Sequence, residues 1–457
     1  MKRDKTDLIL HSPDMVRSML MLALPIFGAN FIKAFNDLVD TFFIGQIPGS
    51  VAAQAGMSST WTVLQIGFSL QIGLSTAGVA VISQYIGAGR RGEAVHYAGN
   101  LTLMAVILGI IFEGIIYGSA PAVMRQIGAE GAVYDSAVTY LQVRSFEMIF
   151  VFLFSAFQAI RQANGDTVTP VMISTLSIVL NIVLTGIFVR ILGWGVAGAA
   201  WATVIGNMAG SPFVLWLLFR REETFHLQLP DLKLQKPILA RLFRLAVPPA
   251  LSEALGAFGF LIMQALILSY GEVVAAAFSI CNKINNMLMM PMFAIGTVLV
   301  AYVGQNIGAC NPDRARKAYR LSRNISLIFA CAAALILLPT MPVLIRLLTN
   351  SSATVAVAME YMVYCLMTMP LMALFQNNIS VFNGSGNTQY TFLLVTGRLW
   401  AIRLPLIMFF KSFTALGEKG IWYSMVISNA VVAVAGALLF GRIDFRPRFT
   451  GESEKGN

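Results

Sequence analysis

Two carboxylates and an amine stand close together in an apolar stretch: Lys33, Asp37 and Asp40, spaced four and three residues apart. That spacing puts all three on one face of a helix, within roughly 60° of each other. Two carboxylates so close in an apolar setting do not both ionise readily, so one of them is expected to hold a proton near neutral pH. Carrying a proton or a cation is the chemistry that follows. The plainer alternative is a structural ion pair between Lys33 and Asp37, with Asp40 reaching toward a helix end.

Three further side chains bear oxygen at comparable depth in later apolar runs: Asn181, Thr185 and Thr203. Counted at about 1.5 Å per residue from one membrane end, Asp40 lies about 9 Å deep, Thr203 about 10 Å, Thr185 about 12 Å and Asn181 about 18 Å. Together with Asp37 they could form a small polar cluster for a proton or a hard cation. Asp40, Lys33, Glu253 and Met287 are also candidates for contact with a bound small molecule. Met287 belongs to a methionine-rich stretch, a soft surface that suits varied ligands but equally suits ordinary packing. Glu253 could instead pair structurally with Lys283, Arg398 or Arg403. Arg144 and Glu147, three apart, read as a self-neutralising pair.

These residues need elements that hold charge inside a bilayer. Of 457 residues, 57% are hydrophobic and only 12% charged, whereas soluble domains run near a quarter charged. The fold expected is an all-α integral membrane protein with twelve spans near 16–46, 51–84, 96–119, 134–160, 169–192, 196–219, 241–269, 273–304, 318–345, 355–381, 390–411 and 417–440. Each is long enough to cross. Lys and Arg crowd the N-terminal segment, the Arg90-Arg91 loop, Arg220 to Arg244, Arg314 to Arg323 and the tail, while the opposite loops hold only Arg125, Arg190, Arg346, Lys411 and Lys419. That asymmetry puts both termini in the cytoplasm and accounts for the net charge of +10 without a nucleic-acid partner. The basic N-terminus leads into a retained span rather than a signal peptide.

The two halves repeat each other. Gln84-Tyr85-Ile86-Gly87-Ala88 returns 221 positions later as Gln305-Asn306-Ile307-Gly308-Ala309, and Gly165-Asp166-Thr167 returns at the same offset as Gly386-Asn387-Thr388. Ala23-Leu24-Pro25 returns as Ala246-Val247-Pro248. Six spans per repeat is an even number, so the copies are parallel and related by an axis along the membrane normal. The division follows: an N-lobe over 1–219, a cytoplasmic linker over 220–240, a C-lobe over 241–440 and a tail over 441–457, with a cavity between lobes that rock.

Several motifs lead elsewhere and fail. Gly87 to Gly92 matches G-x-G-x-x-G but follows a long apolar helix instead of a strand, so it is no dinucleotide site. No phosphate-binding G-x-x-x-x-G-K-[ST] sequence is present. The three histidines lie far apart and no Cys or carboxylate stands at ligand spacing, so neither a metal nor a cofactor is expected. The four cysteines are expected as free thiols. No nucleophile, base or metal constellation marks a membrane enzyme.

At this point the residues resemble the MATE (multidrug and toxic compound extrusion) transporters, with a pattern most like the DinF branch. The resemblance rests on Ala23-Leu24-Pro25, Val39-Asp40-Thr41 and Gly45, the loops Gln84 to Gly89 and Val303 to Pro312, Gly165-Asp166-Thr167, Asn181, and Gly195 to Ala200. It implies a multidrug antiporter that acts as a monomer in the inner (plasma) membrane and exports cationic or amphipathic molecules in exchange for protons or sodium. Asp40 then matches the coupling aspartate of the first helix, Pro25 the proline about which that helix bends, and Asn181 and Thr203 the N-lobe cation-site residues. Thr185 stands where many relatives carry an aspartate. Losing that carboxylate favours protons over sodium. A lipid-linked flippase of the same superfamily stays open, since Lys33, Lys283, Arg398 and Arg403 could line a cationic groove.

Overall fold

The structure, a computed structural model, describes residues 5–45, 50–221 and 225–449. Within the first helices some side chains, those of Asp37 and Asp40 among them, lie outside the described residues. A short α1 (Lys5–Leu10) precedes the first span, α2 (Met15–Gly45). The rest of the first half is α3 (Ser50–Gly87), α4 (Arg91–Gln126), α5 (Gly131–Ser145), α6 (Glu147–Ala163), α7 (Val168–Thr185) and α8 (Gly195–Phe219). The second half holds α9 (Lys236–Leu268), α10 (Glu272–Gly308), α11 (Pro312–Leu348), α12 (Ser352–Gly384), α13 (Thr388–Thr396), α14 (Leu404–Phe413) and α15 (Lys419–Phe440). Among the described residues there is no β-strand. Among the described residues eleven helical runs are long and apolar enough to cross a bilayer, and the bent pair α5–α6, taken as one span, makes a twelfth.

Three spans differ from the uninterrupted helices expected. The run over 134–160 is broken between α5 and α6, which meet at an angle of 43°. Beside that bend, Arg144 donates from Nε to Glu147 Oε1 at 2.8 Å and from Nη1 to the Tyr140 hydroxyl at 2.8 Å. Asn207 on α8 donates to the other Glu147 oxygen at 3.0 Å. Glu147 is fully enclosed, so its charge is held by a complete set of donors instead of water. Glu147→Gln should therefore lower the stability of the detergent-solubilised protein by about 2 kcal/mol, the weight of a hydrogen bond to a charged group, read as a thermal shift. The other two exceptions are π-turns, at Gly186–Ile191 after α7 and at Gly397–Arg403 between α13 and α14. Each lies in the fifth span of its half.

The halves grip each other through equivalent helices. α3 packs on α9, α10 packs on α2, and α3 packs on α10. At the end of the bundle that carries the 88–90 and 309–311 turns, the contact is reciprocal down to single atoms. Gln84 Nε2 donates to Gly384 O at 3.3 Å, and Gln305 Nε2 donates to Ala163 O at 2.6 Å. Donors and acceptors alike are related by 221 positions. Gly87 and Gly308 make the approach possible, since a Cβ on either would overlap the backbone of Gln305 or Gln84 respectively. The same end is covered from both sides: Arg314 holds the carbonyls of Ile9 and Ser12, and Tyr85 donates to the carbonyl of Phe449 at 2.8 Å.

Prolines sit inside these spans without ending them. α2 runs through Pro25 and α9 through Pro248 and Pro249. A proline lacks the N–H that would close one turn of the ladder, so both first helices carry a built-in weak point at corresponding positions. The four cysteines are free.

Candidate functional site

Among the described residues, two polar regions within the spans contain the side chains singled out from the sequence as candidates for ion or ligand contact. In the first half, α7 and α8 come close because Gly206 lets α8 rest on the backbone of Ser177. Across that contact Asn181 Nδ2 donates to Thr203 Oγ1 at 3.1 Å, while the Thr203 hydroxyl donates to Ala199 O at 3.1 Å. Asn181 Oδ1 is buried and has no hydrogen-bond partner among the described residues. Thr185, one turn further along α7, is fully buried. α2 packs on both α7 and α8, so the helix that carries Asp37 and Asp40 borders this cluster. Whatever their carboxylates touch, including a Lys33–Asp37 ion pair, lies outside the described residues. Lys33 is exposed and Pro25 half-buried on the same helix.

The second half contains a cavity of about 350 Å³ bounded by α9, α10, α12, α15 and the π-turn before α14. That size is in the range of small-molecule sites, roughly 300 to 1,000 Å³. Glu253 reaches it from α9, Asn282, Asn285 and Asn286 from α10, and Gln376 from α12. Arg398 and Arg403 both face it. Five residues apart on a regular α-helix, they would point about 140° away from each other. The π-turn, whose hydrogen bonds close five residues on, brings them onto one face.

The two arginines differ in what they hold. Arg403 is fixed by Ser428 Oγ at 2.9 Å and Asn429 Oδ1 at 2.7 Å, both from α15. Arg398 lies over the Phe375 ring at 4.4 Å and places Nη1 3.0 Å from the Met372 sulfur, and its Nε has no hydrogen-bond partner among the described residues. Glu253 is close enough to act on Arg398 electrostatically. Among the described residues the two form no direct ion pair. Lys283 and Met287 are exposed and are not among the residues that line the cavity, whereas Met289 lines it.

The structure thus brings together Asn181 and Thr203, and separately Glu253 with Arg398 and Arg403. The cavity amides escaped the sequence reading. Their signal was available, since Asn282, Asn285 and Asn286 stand three and four apart in an apolar run, which is one helical face.

Among the described residues no three His, Cys, Asp or Glu side chains gather as a metal site. The arrangement is one for holding and releasing ligands. Comparison with known proteins agrees. The chain is 26% identical to a probable multidrug resistance protein NorM of Thermotoga maritima, over 97% of this chain and 96% of that one. It is 23% identical to the multidrug resistance protein MdtK of Yersinia enterocolitica, over 92% and 94%. Its fold matches an outward-facing multidrug resistance MATE family transporter of the MOP superfamily with a TM-score of 0.89, at 23% identity and over 96% and 97% of the two chains. The MatE family profile matches residues 25–187 and 248–409, one copy in each half. With both repeats matched, this integral membrane protein belongs to the MatE family of multidrug efflux transporters.

Proposed function

We propose that the protein is a proton-coupled antiporter that exports cationic or amphipathic small molecules by alternating access, working as a monomer in the plasma membrane with both termini in the cytoplasm. The observation that carries this reading is the reciprocal seal of Gln84 and Gln305 at one end of two parallel halves. Lys and Arg crowd the loops beside that seal, a bias that supports a cytoplasmic position for it. A bundle closed inside, with polar groups held deeper, is the outward-facing half of an alternating cycle.

Coupling belongs to the first half. Asn181 Oδ1 is a buried acceptor in need of a donor, and a protonated carboxylic acid on α2 would supply one. Protonating Asp40, with Asp37 as its neighbour on the same face, would draw α2 onto α7 and α8 and bend it near Pro25, shrinking the N-lobe space so that cargo leaves. Proton and cargo then compete for one bistable helix, which produces exchange. Sodium is the second reading, because Asn181, Thr185 and Thr203 offer neutral oxygens to a hard cation. The DinF-like assignment rests on the sequence motifs alone.

Exchange in proteoliposomes separates these readings. Rhodamine 6G movement driven by a pH gradient and indifferent to sodium is expected; movement with a sodium gradient alone would overturn proton coupling. Asn181→Ala and Thr203→Val should each slow proton-driven exchange by about tenfold, the weight of one buried hydrogen bond, and leave dye binding unchanged.

A further inference from the structure

The C-lobe cavity has a charge balance that cationic cargo alone does not explain. Its charged lining consists of Glu253, Arg398 and Arg403, one acid against two bases. Arg403 spends its donors on the neutral Ser428 and Asn429. Arg398 has a ring face, a thioether and an open Nε where a guanidinium would ordinarily meet a carboxylate. Within a membrane span such a cation needs an anionic or strongly accepting partner. Glu253, which also lines the cavity, influences it without forming an ion pair among the described residues.

We propose that this cavity binds amphipathic organic anions, with a carboxylate, sulfonate or phosphate head received by Arg398 and an aromatic body held along Phe260, Phe278, Phe293 and Met289. The fork of the guanidinium suits a two-oxygen head group, and the weak sulfur contact at Nη1 is the one such a head would displace. The amides of Asn282, Asn285 and Gln376 supply donors for the remaining oxygens. Glu253 acts against the anion, so it tunes affinity downward and provides a route to release. The inference rests on the export reading only in treating the cavity as a cargo-binding region of the C-lobe beside the N-lobe space.

Equilibrium binding to purified protein in a non-ionic detergent tests it, using fluorescence anisotropy of fluorescein, an anion, and rhodamine 6G, a cation on the same ring frame. Wild type should favour fluorescein. Arg398→Gln should weaken fluorescein by about tenfold or more while rhodamine 6G holds or tightens, and Glu253→Gln should tighten fluorescein several-fold. Equal weakening of both dyes by Arg398→Gln, or a wild type that favours rhodamine 6G, would overturn the proposal. Should Arg398→Gln fail to fold, the double variant Arg398→Gln/Glu253→Gln leaves neither of that pair charged. It should bind fluorescein more weakly than Glu253→Gln does, and equal binding counts against the site. Binding as expected without any ion-driven exchange sinks the export reading and spares the cavity. Exchange of rhodamine 6G without fluorescein binding does the reverse.

Discussion

An Asp40→Asn variant is expected to fold, to bind dye, and to lose proton-driven exchange by about a hundredfold. Asparagine keeps the size and the polarity of the protonated acid but cannot release a proton, so it holds α2 permanently in one of its two states. The magnitude follows from the upper range of coupling free energy between two sites. Asp37→Asn removes the neighbouring charge and not the coupling group, so it should shift the pH dependence and slow exchange far less. Binding of rhodamine 6G and the thermal unfolding profile serve as the folding controls. Exchange at the wild-type rate by Asp40→Asn would remove this residue from the mechanism and turn attention to the second half. The C-lobe offers Glu253 there, on α9, so Glu253→Gln belongs in the same experiment. It should change the affinity for cargo while keeping exchange driven by the pH gradient.

The sequence carried the twelve spans and the parallel repeat because both are written in composition and in short words that recur with one residue changed. Gln84 and Gln305 illustrate how far such words reach. Their recurrence 221 positions apart signalled duplication, and the structure turns that recurrence into a pair of matched hydrogen bonds across the halves. Arg144 and Glu147 were likewise legible, since a three-residue spacing puts opposite charges side by side on a helix. Asn181 and Thr203 fall at depths about 8 Å apart by residue count, yet both belong to the one polar cluster expected, and they meet.

The bend between α5 and α6 and the two π-turns left no comparable mark. A helical periodicity averaged over a span is blind to one extra residue in a single turn. The consequence is largest at Gly397–Arg403, where that extra residue decides that Arg398 and Arg403 share a face. From sequence alone Lys283, Arg398 and Arg403 were equal partners for Glu253. Only the packing of α9 against α13 and its π-turn selects among them. Met287 and Met289 make the same point on a smaller scale, because two positions on a helix separate an exposed face from a cavity wall.

Gly87→Ala and Gly308→Ala are expected to prevent the sealed end from closing. The new Cβ would overlap a backbone carbonyl of the opposite half, Gln305 O in one case and Gln84 O in the other. A flexible side chain could turn aside, but these carbonyls belong to the buried Gln84 and Gln305 and already accept from Ala88 N and Ala309 N in their own helices, so the halves must part instead. The two contacts are symmetric, so either substitution should open the same end and the double variant should add little. Moving a two-state equilibrium across its range takes about 5.5 kcal/mol, and an overlap of backbone atoms exceeds that unless the helices separate. Exchange should fall by about a hundredfold, and the distance between spin labels at positions 91 and 314 should lengthen. Gly89→Ala provides the contrast. Gly89 lies two residues away with φ of +72° and open space around it, so alanine there should cost about 1 kcal/mol of local strain with no change in the label distance. If Gly87→Ala and Gly308→Ala behave like Gly89→Ala, the reciprocal contact is packing without a gating role, and the seal must lie with the contacts that Ile9 of α1 and Phe449 make at the same end.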